Sequence, residues 1–126
     1  MKAVIGLAAA VLLLAGRGAH LTAPRGSNQA IGQQLAAASG WTGPQWGCLN
    51  QLWDHESGWR MVWNTAGSGA YGIPQSLPAS KMASAGPDYM TNPATQIRWG
   101  LSYIRGTYGT PCGAWAAWQS RYPHWY

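Results

Sequence analysis

The stretch Pro44–Gly58, PQWGCLNQLWDHESG, decides the reading of this chain. Pro44 suits the first turn of a helix, where its missing N–H would have had no partner, and Gly58 suits the residue that stops one. Between them Trp46, Leu49, Leu52, Trp53 and Glu56 recur at three- and four-residue intervals, which is helical spacing. With Leu49 taken as zero, a turn of about 100° per residue puts Leu52 at about −60°, Trp53 at about 40°, Glu56 at about −20° and Asp54 at about 140°. A carboxyl group therefore falls inside the apolar stripe, while Asp54 faces the other way.

A carboxylate sunk among Leu and Trp loses hydration in its charged form, so its pKa rises and it holds a proton near neutral pH. That is the profile of a general acid. A plainer arrangement is open on the same geometry: Glu56 bends out at the helix end, or pairs with Arg60 four residues later as a structural salt bridge.

Downstream, residues 58–92 are rich in Gly, Pro, Ser and Asn, with room only for short strands or turns and a helical turn over Lys81–Ala85. Asn92-Pro93 then caps and opens a helix carrying Ile97, Leu101, Ile104 and Tyr108 on one side. A last helix follows Pro111, with Trp115 and Trp118 among alanines, before the aromatic tail Tyr122-Pro123-His124-Trp125-Tyr126. Upstream, Ser27 caps a short helix with Ile31 and Leu35 on one face, ended by Gly40, which either packs on the domain or leads into it.

At the N-terminus Lys2 precedes the apolar run Ala3–Ala15, shorter than the roughly 20 residues a membrane span needs, so residues 1–20 read as a secretory signal. The organisation expected is a signal peptide over 1–20, a linker and short helix over 21–40, and one domain over 41–126. The mature protein is then secreted or cell-wall associated, with no stable membrane span, and monomeric. An even pair of cysteines in an exported chain, Cys48 and Cys112, points to a disulfide rather than to two buried free thiols. A domain of this size is close to marginal for a single core, so such a bridge has a physical purpose.

Composition narrows the function. The chain has 126 residues with 8 Lys+Arg against 3 Asp+Glu, and Lys2 and Arg17 leave with the leader. The remaining excess of positive charge suits an anionic polymer. Nucleic acid is not the expected partner, because Arg25, Arg60, Lys81, Arg98, Arg105 and Arg121 stand singly, with no basic run or stripe. Three acids make no cation cage, and no histidines have ligand spacing, so neither a metal nor another cofactor is expected. No G-x-S-x-G elbow supports a serine nucleophile. The 9 Trp and 6 Tyr, beside no Phe, fit a surface that grips sugar as well as a core. A non-catalytic wall-binding module, stacking sugars on Trp41, Trp59, Trp63 and Trp99 around a core of Trp46, Trp53, Trp115 and Trp118, therefore stands beside the enzyme reading.

Three ordered motifs sharpen the choice: Glu56-Ser57-Gly58-Trp59, Ser68-Gly69-Ala70-Tyr71-Gly72-Ile73-Pro74-Gln75, and Thr91-Asn92-Pro93-Ala94-Thr95-Gln96-Ile97-Arg98-Trp99-Gly100. From Trp41 to Tyr126 the chain resembles the transglycosylase-like lysozyme domain of secreted actinobacterial proteins, a short relative of soluble lytic transglycosylases and goose-type lysozymes. The resemblance implies a mainly α, small lysozyme-like domain with a Gly/Pro-rich centre and one disulfide. It implies a peptidoglycan lytic transglycosylase that cleaves between N-acetylmuramic acid and N-acetylglucosamine. Glu56 is then the catalytic acid, and Ser57, Tyr71 and Gln75 line the glycan groove. A hydrolytic muramidase using the same site is the close alternative. One departure stands out: Ala117-Trp118-Gln119-Ser120-Arg121 occupies the place where many of these enzymes carry Ala-Tyr-Asn-Ala-Gly.

Overall fold

Proline in the first turn opens the helices that follow Thr42, Asn92 and Thr110, as the sequence leads one to expect, and the last two also carry a capping side chain. In a computed structural model of the protein, which describes residues 25–126, Asn92 Oδ1 accepts the Ala94 N–H at 3.0 Å and Thr110 Oγ1 accepts that of Gly113 at 3.1 Å. The elements are α1 (Arg25–Ala38), α2 (Gly43–Ser57), a 3-10 helix (Ala79–Ala85), α3 (Pro93–Thr107) and α4 (Pro111–Ser120). The fold is mainly α. Its Gly/Pro-rich centre holds no strand among the described residues, only the isolated antiparallel bridges Trp63–Tyr71 and Tyr71–Ser76. The expected signal peptide over 1–20 and the first residues of the linker lie outside the described residues. Among those described, no helix is long and apolar enough to cross a membrane.

One core joins the four described α-helices. Leu49, Leu52 and Trp53 of α2 meet Ile97, Leu101 and Ile104 of α3, Ala114 of α4 and Ala36 of α1, all buried. Each leucine or isoleucine among them stabilises the fold by about 1.5–3 kcal/mol when removed from water. Gly100 lets α2 and α3 approach: a Cβ there would lie 2.5 Å from Trp53 Cζ2. Cys48 of α2 and Cys112 of α4 form the expected disulfide, with their Cα atoms 5.0 Å apart. Closing a loop of that length contributes on the order of 4 kcal/mol in the chain-entropy account.

The domain begins earlier than Trp41. The helix expected from Ser27 starts at Arg25 and packs into the core, because Trp59 reaches back to it. Gly58 (φ 64°) ends α2 in the left-handed region, and Trp59 (φ 60°) follows in the same region. Their N–H groups return to the carbonyls of Asp54 and Trp53, a helix-terminating arrangement. The reversal turns the Trp59 indole inward against Trp46 and Trp53, at centroid distances of 5.6 and 5.2 Å. Asn28 Nδ2 of α1 then donates to the Trp59 carbonyl at 2.8 Å, and Gly32 leaves room for the indole.

Candidate active site

Glu56 lies in the last turn of α2, on the side the helical phase predicts, and its side chain is half-buried. Its Oε1 accepts a hydrogen bond from Trp118 Nε1 of α4 at 2.8 Å. Its Oε2 makes no hydrogen bond with a described residue and is not sealed from solvent. Loss of hydration pushes the Glu56 pKa from 4.5 up to about 7; the Trp118 hydrogen bond and the His124 and His55 charges pull the other way. The alternative pairing with Arg60 does not form, since Arg60 Nε donates instead to the Ser57 carbonyl at 3.4 Å.

Trp118 is held from several sides. Its ring stacks on Trp115 at 5.0 Å and on His124 at 4.0 Å, with interplanar angles of 19° and 13°. His55 leans edge-on against it at 5.1 Å. His124 also places Nδ1 2.7 Å from the Trp118 carbonyl oxygen. The tail after α4 thus folds back over the acid. Further along it, the Tyr126 hydroxyl donates to the Pro74 carbonyl at 2.7 Å and accepts from Trp53 Nε1 at 2.9 Å. Burial first, and then the nearby Glu56 charge, raise the Tyr126 phenol well above its usual pKa.

Gln75 of the Gly72-Ile73-Pro74-Gln75 turn lines a cleft of about 90 Å³ together with Lys81, Trp99, Tyr103 and Tyr126. Glu56 does not line this cleft, but Tyr126, which does, is close enough to Glu56 to feel its charge. Gln75 sits at φ 58°, and its Nε2 donates to the Val62 and Gly72 carbonyls, both at 2.9 Å. Its Oε1 is buried without a hydrogen-bond partner. A left-handed non-glycine backbone and an orphaned acceptor in one residue are the kinds of local cost that collect at functional sites.

The other two residues expected at the groove turn their hydroxyls toward the backbone. Ser57 is 5% exposed, and its hydroxyl donates to the Ile73 carbonyl at 2.7 Å, tying the end of α2 to the Gln75 turn. Tyr71 is 7% exposed, and its hydroxyl donates to the Met90 carbonyl at 2.8 Å. Both hydroxyls donate to backbone carbonyls. Trp41 and Trp59, offered above as sugar platforms, are buried, whereas Trp63 is 55% exposed against the Tyr71 ring. Among the described residues no three His, Cys, Asp or Glu side chains gather in a metal-binding group.

Sequence reasoning assigned Trp118 to the core and gave the aromatic tail no role. The signal available was the departure at residues 117–121 from the Ala-Tyr-Asn-Ala-Gly pattern: Trp118 supplies the hydrogen bond to the acid there. Comparison with protein-family models, curated proteins and solved structures finds no match to this chain.

Proposed function

We propose that this protein is a peptidoglycan lytic transglycosylase acting outside the cytoplasm, with Glu56 as its acid and base. The observation that carries the reading is the state of Glu56. It is half-buried and protonated up to about pH 7, with one oxygen anchored by Trp118 and the other free toward solvent. A general acid needs a pKa near the working pH and a proton on the outward atom. The disulfide and the expected export signal support a place at the cell wall.

The first step transfers the Glu56 proton to the glycosidic oxygen, and the bond from that oxygen to the muramic C1 breaks. A second carboxylate to meet the developing cation is not at hand: Asp54 projects from the far side of α2, and both Asp88 oxygens accept from Asn92 and Thr95. The muramic acetamido oxygen therefore bonds to C1, a recognised exception to the two-carboxylate scheme. Glu56, now ionised, takes the proton of the muramic 6-hydroxyl. That oxygen attacks C1, the acetamido bond opens, and a 1,6-anhydro ring closes. A tethered hydroxyl has a high effective concentration, which favours it over water.

Mass spectrometry of digested glycan tests the reading. The expected products lack one water relative to hydrolysis, and Glu56→Gln releases none while still sedimenting with purified wall. Products all carrying the water would make the protein a muramidase instead. Full lysis by Glu56→Gln would remove the acid from the mechanism, and absence of lysis by the wild type would leave a binding module.

A further inference from the structure

Of the five Lys and Arg side chains described downstream of Arg25, three are engaged. Arg60 bonds the Ser57 carbonyl, Arg105 lies 4.4 Å over the Trp41 ring and bonds the Ser39 carbonyl, and Arg121 bonds the Tyr108 hydroxyl and the Trp125 carbonyl. The side chains of Lys81 and Arg98 are exposed and make no hydrogen bond with any described residue. These two free cations line adjoining hollows. Lys81 borders the 90 Å³ cleft that contains Gln75, and Arg98 borders a neighbouring hollow of about 350 Å³. Trp99 and Tyr103, stacked at 5.2 Å with an interplanar angle of 11°, form a wall common to both. The larger volume is within the range of small-ligand sites, which begins at about 300 Å³.

No acidic residue lines either hollow. Asp88 is near enough for Arg98 to favour its charged form, but both Asp88 oxygens already accept hydrogen bonds from Asn92 and Thr95 at 2.8 Å. Lys81, beside Gln75 and Tyr126, therefore presents an uncompensated positive charge next to the candidate active site, with aromatic surface leading from it to a second cation.

We propose that Lys81 of the 3-10 helix and Trp99, Tyr103 and Arg98 of α3 form a binding track for the carboxylate-bearing stems of a glycan strand. The track continues the cleft that starts at Gln75, and it deepens the reading of the protein as a peptidoglycan lyase, on which it rests. Lys81 and Arg98 take the carboxylates, and the paired rings take the apolar surface between them. The ligand class is thus an anionic, peptide-bearing strand in preference to a neutral amino-sugar polymer.

The test uses the full chain carrying Glu56→Gln, which holds strands without cutting them, and measures binding to soluble peptidoglycan strands. Two probes are compared: strands with free stem carboxylates and the same strands with those groups amidated. At low salt the free strands are expected to bind at least five-fold more tightly. That preference should collapse near 0.5 M NaCl, where screening acts over only a few ångströms. It should also vanish on adding Lys81→Ala and Arg98→Ala, exposed changes whose folding circular dichroism verifies. Equal affinity for both probes, or a preference that survives the double replacement, overturns the track. So does tighter, Lys81-dependent binding of poly(glycerol phosphate), which would make a phosphate polymer the ligand. Failure of the parent reading is distinct: wild type that leaves both strands uncut while the charge preference persists removes cleavage and keeps the track.

Discussion

Replacing Glu56 by Gln should make the folded protein more stable at pH 8, although it removes the group on which the proposed activity depends. The carboxyl pKa rises from 4.5 to about 7 because burial strips its hydration. The folded state therefore holds a proton that the unfolded state releases between those values, and stability falls as pH climbs through this window. Below pH 4.5 the group is neutral in both states and carries no penalty. Above pH 7 it is charged in both, and the folded state bears the full cost of a poorly hydrated charge. At 1.36 kcal/mol per pH unit, and allowing for water at the partly exposed carboxyl, that cost is about 2–3 kcal/mol. Gln is neutral throughout and keeps an oxygen to accept the Trp118 N–H. Chemical denaturation of the two proteins at pH 4 and pH 8 measures the difference. The variant is expected to match the wild type at pH 4 and exceed it by about 2–3 kcal/mol at pH 8, or roughly 10 °C or more in Tm. Equal stability at pH 8, or a less stable variant, would mean that Glu56 is well hydrated, and the case for a protonated acid would fail.

Trp118→Phe keeps a ring in the stack but removes the N–H that favours the Glu56 carboxylate; carbon-detected NMR titration should find the carboxyl midpoint higher by about one pH unit, consistent with about 1.5 kcal/mol for a hydrogen bond to a charged group. The alkaline limb of any lytic activity should move in the same direction. Gly100→Ala drives a methyl group into the Trp53 ring and should destabilise the domain by about 1–3 kcal/mol in urea denaturation. Reducing and alkylating Cys48 and Cys112 should lower stability by on the order of 4 kcal/mol, measured the same way.

The helices α2, α3 and α4 were legible because a proline opens each and apolar residues recur at helical spacing behind it, and both signals are local. Glu56 was legible for the same reason: seven residues on from Leu49, it returns to the same face of the helix. The place of α1 was not legible, because it depends on Trp59 turning back through two left-handed residues to meet Gly32 and Asn28, a contact across 31 residues. Trp118 has the spacing of a core tryptophan, and most of its ring is used that way. Its polar edge meets Glu56 only because the disulfide and the shared core bring α4 against α2 across 62 residues. Ser57 and Tyr71 illustrate the converse. Their motifs put them at the groove, but a motif carries no information on whether a hydroxyl turns outward to a ligand or inward to a carbonyl. That choice lies with the Ile73 and Met90 carbonyls, which accept the two hydroxyls. Side-chain type and phase thus reveal a misplaced charge on a helix, whereas the neighbours that tune it are a property of tertiary packing. A variant that disturbs the α2–α4 contact should therefore alter the acidity of Glu56 while leaving its helix intact.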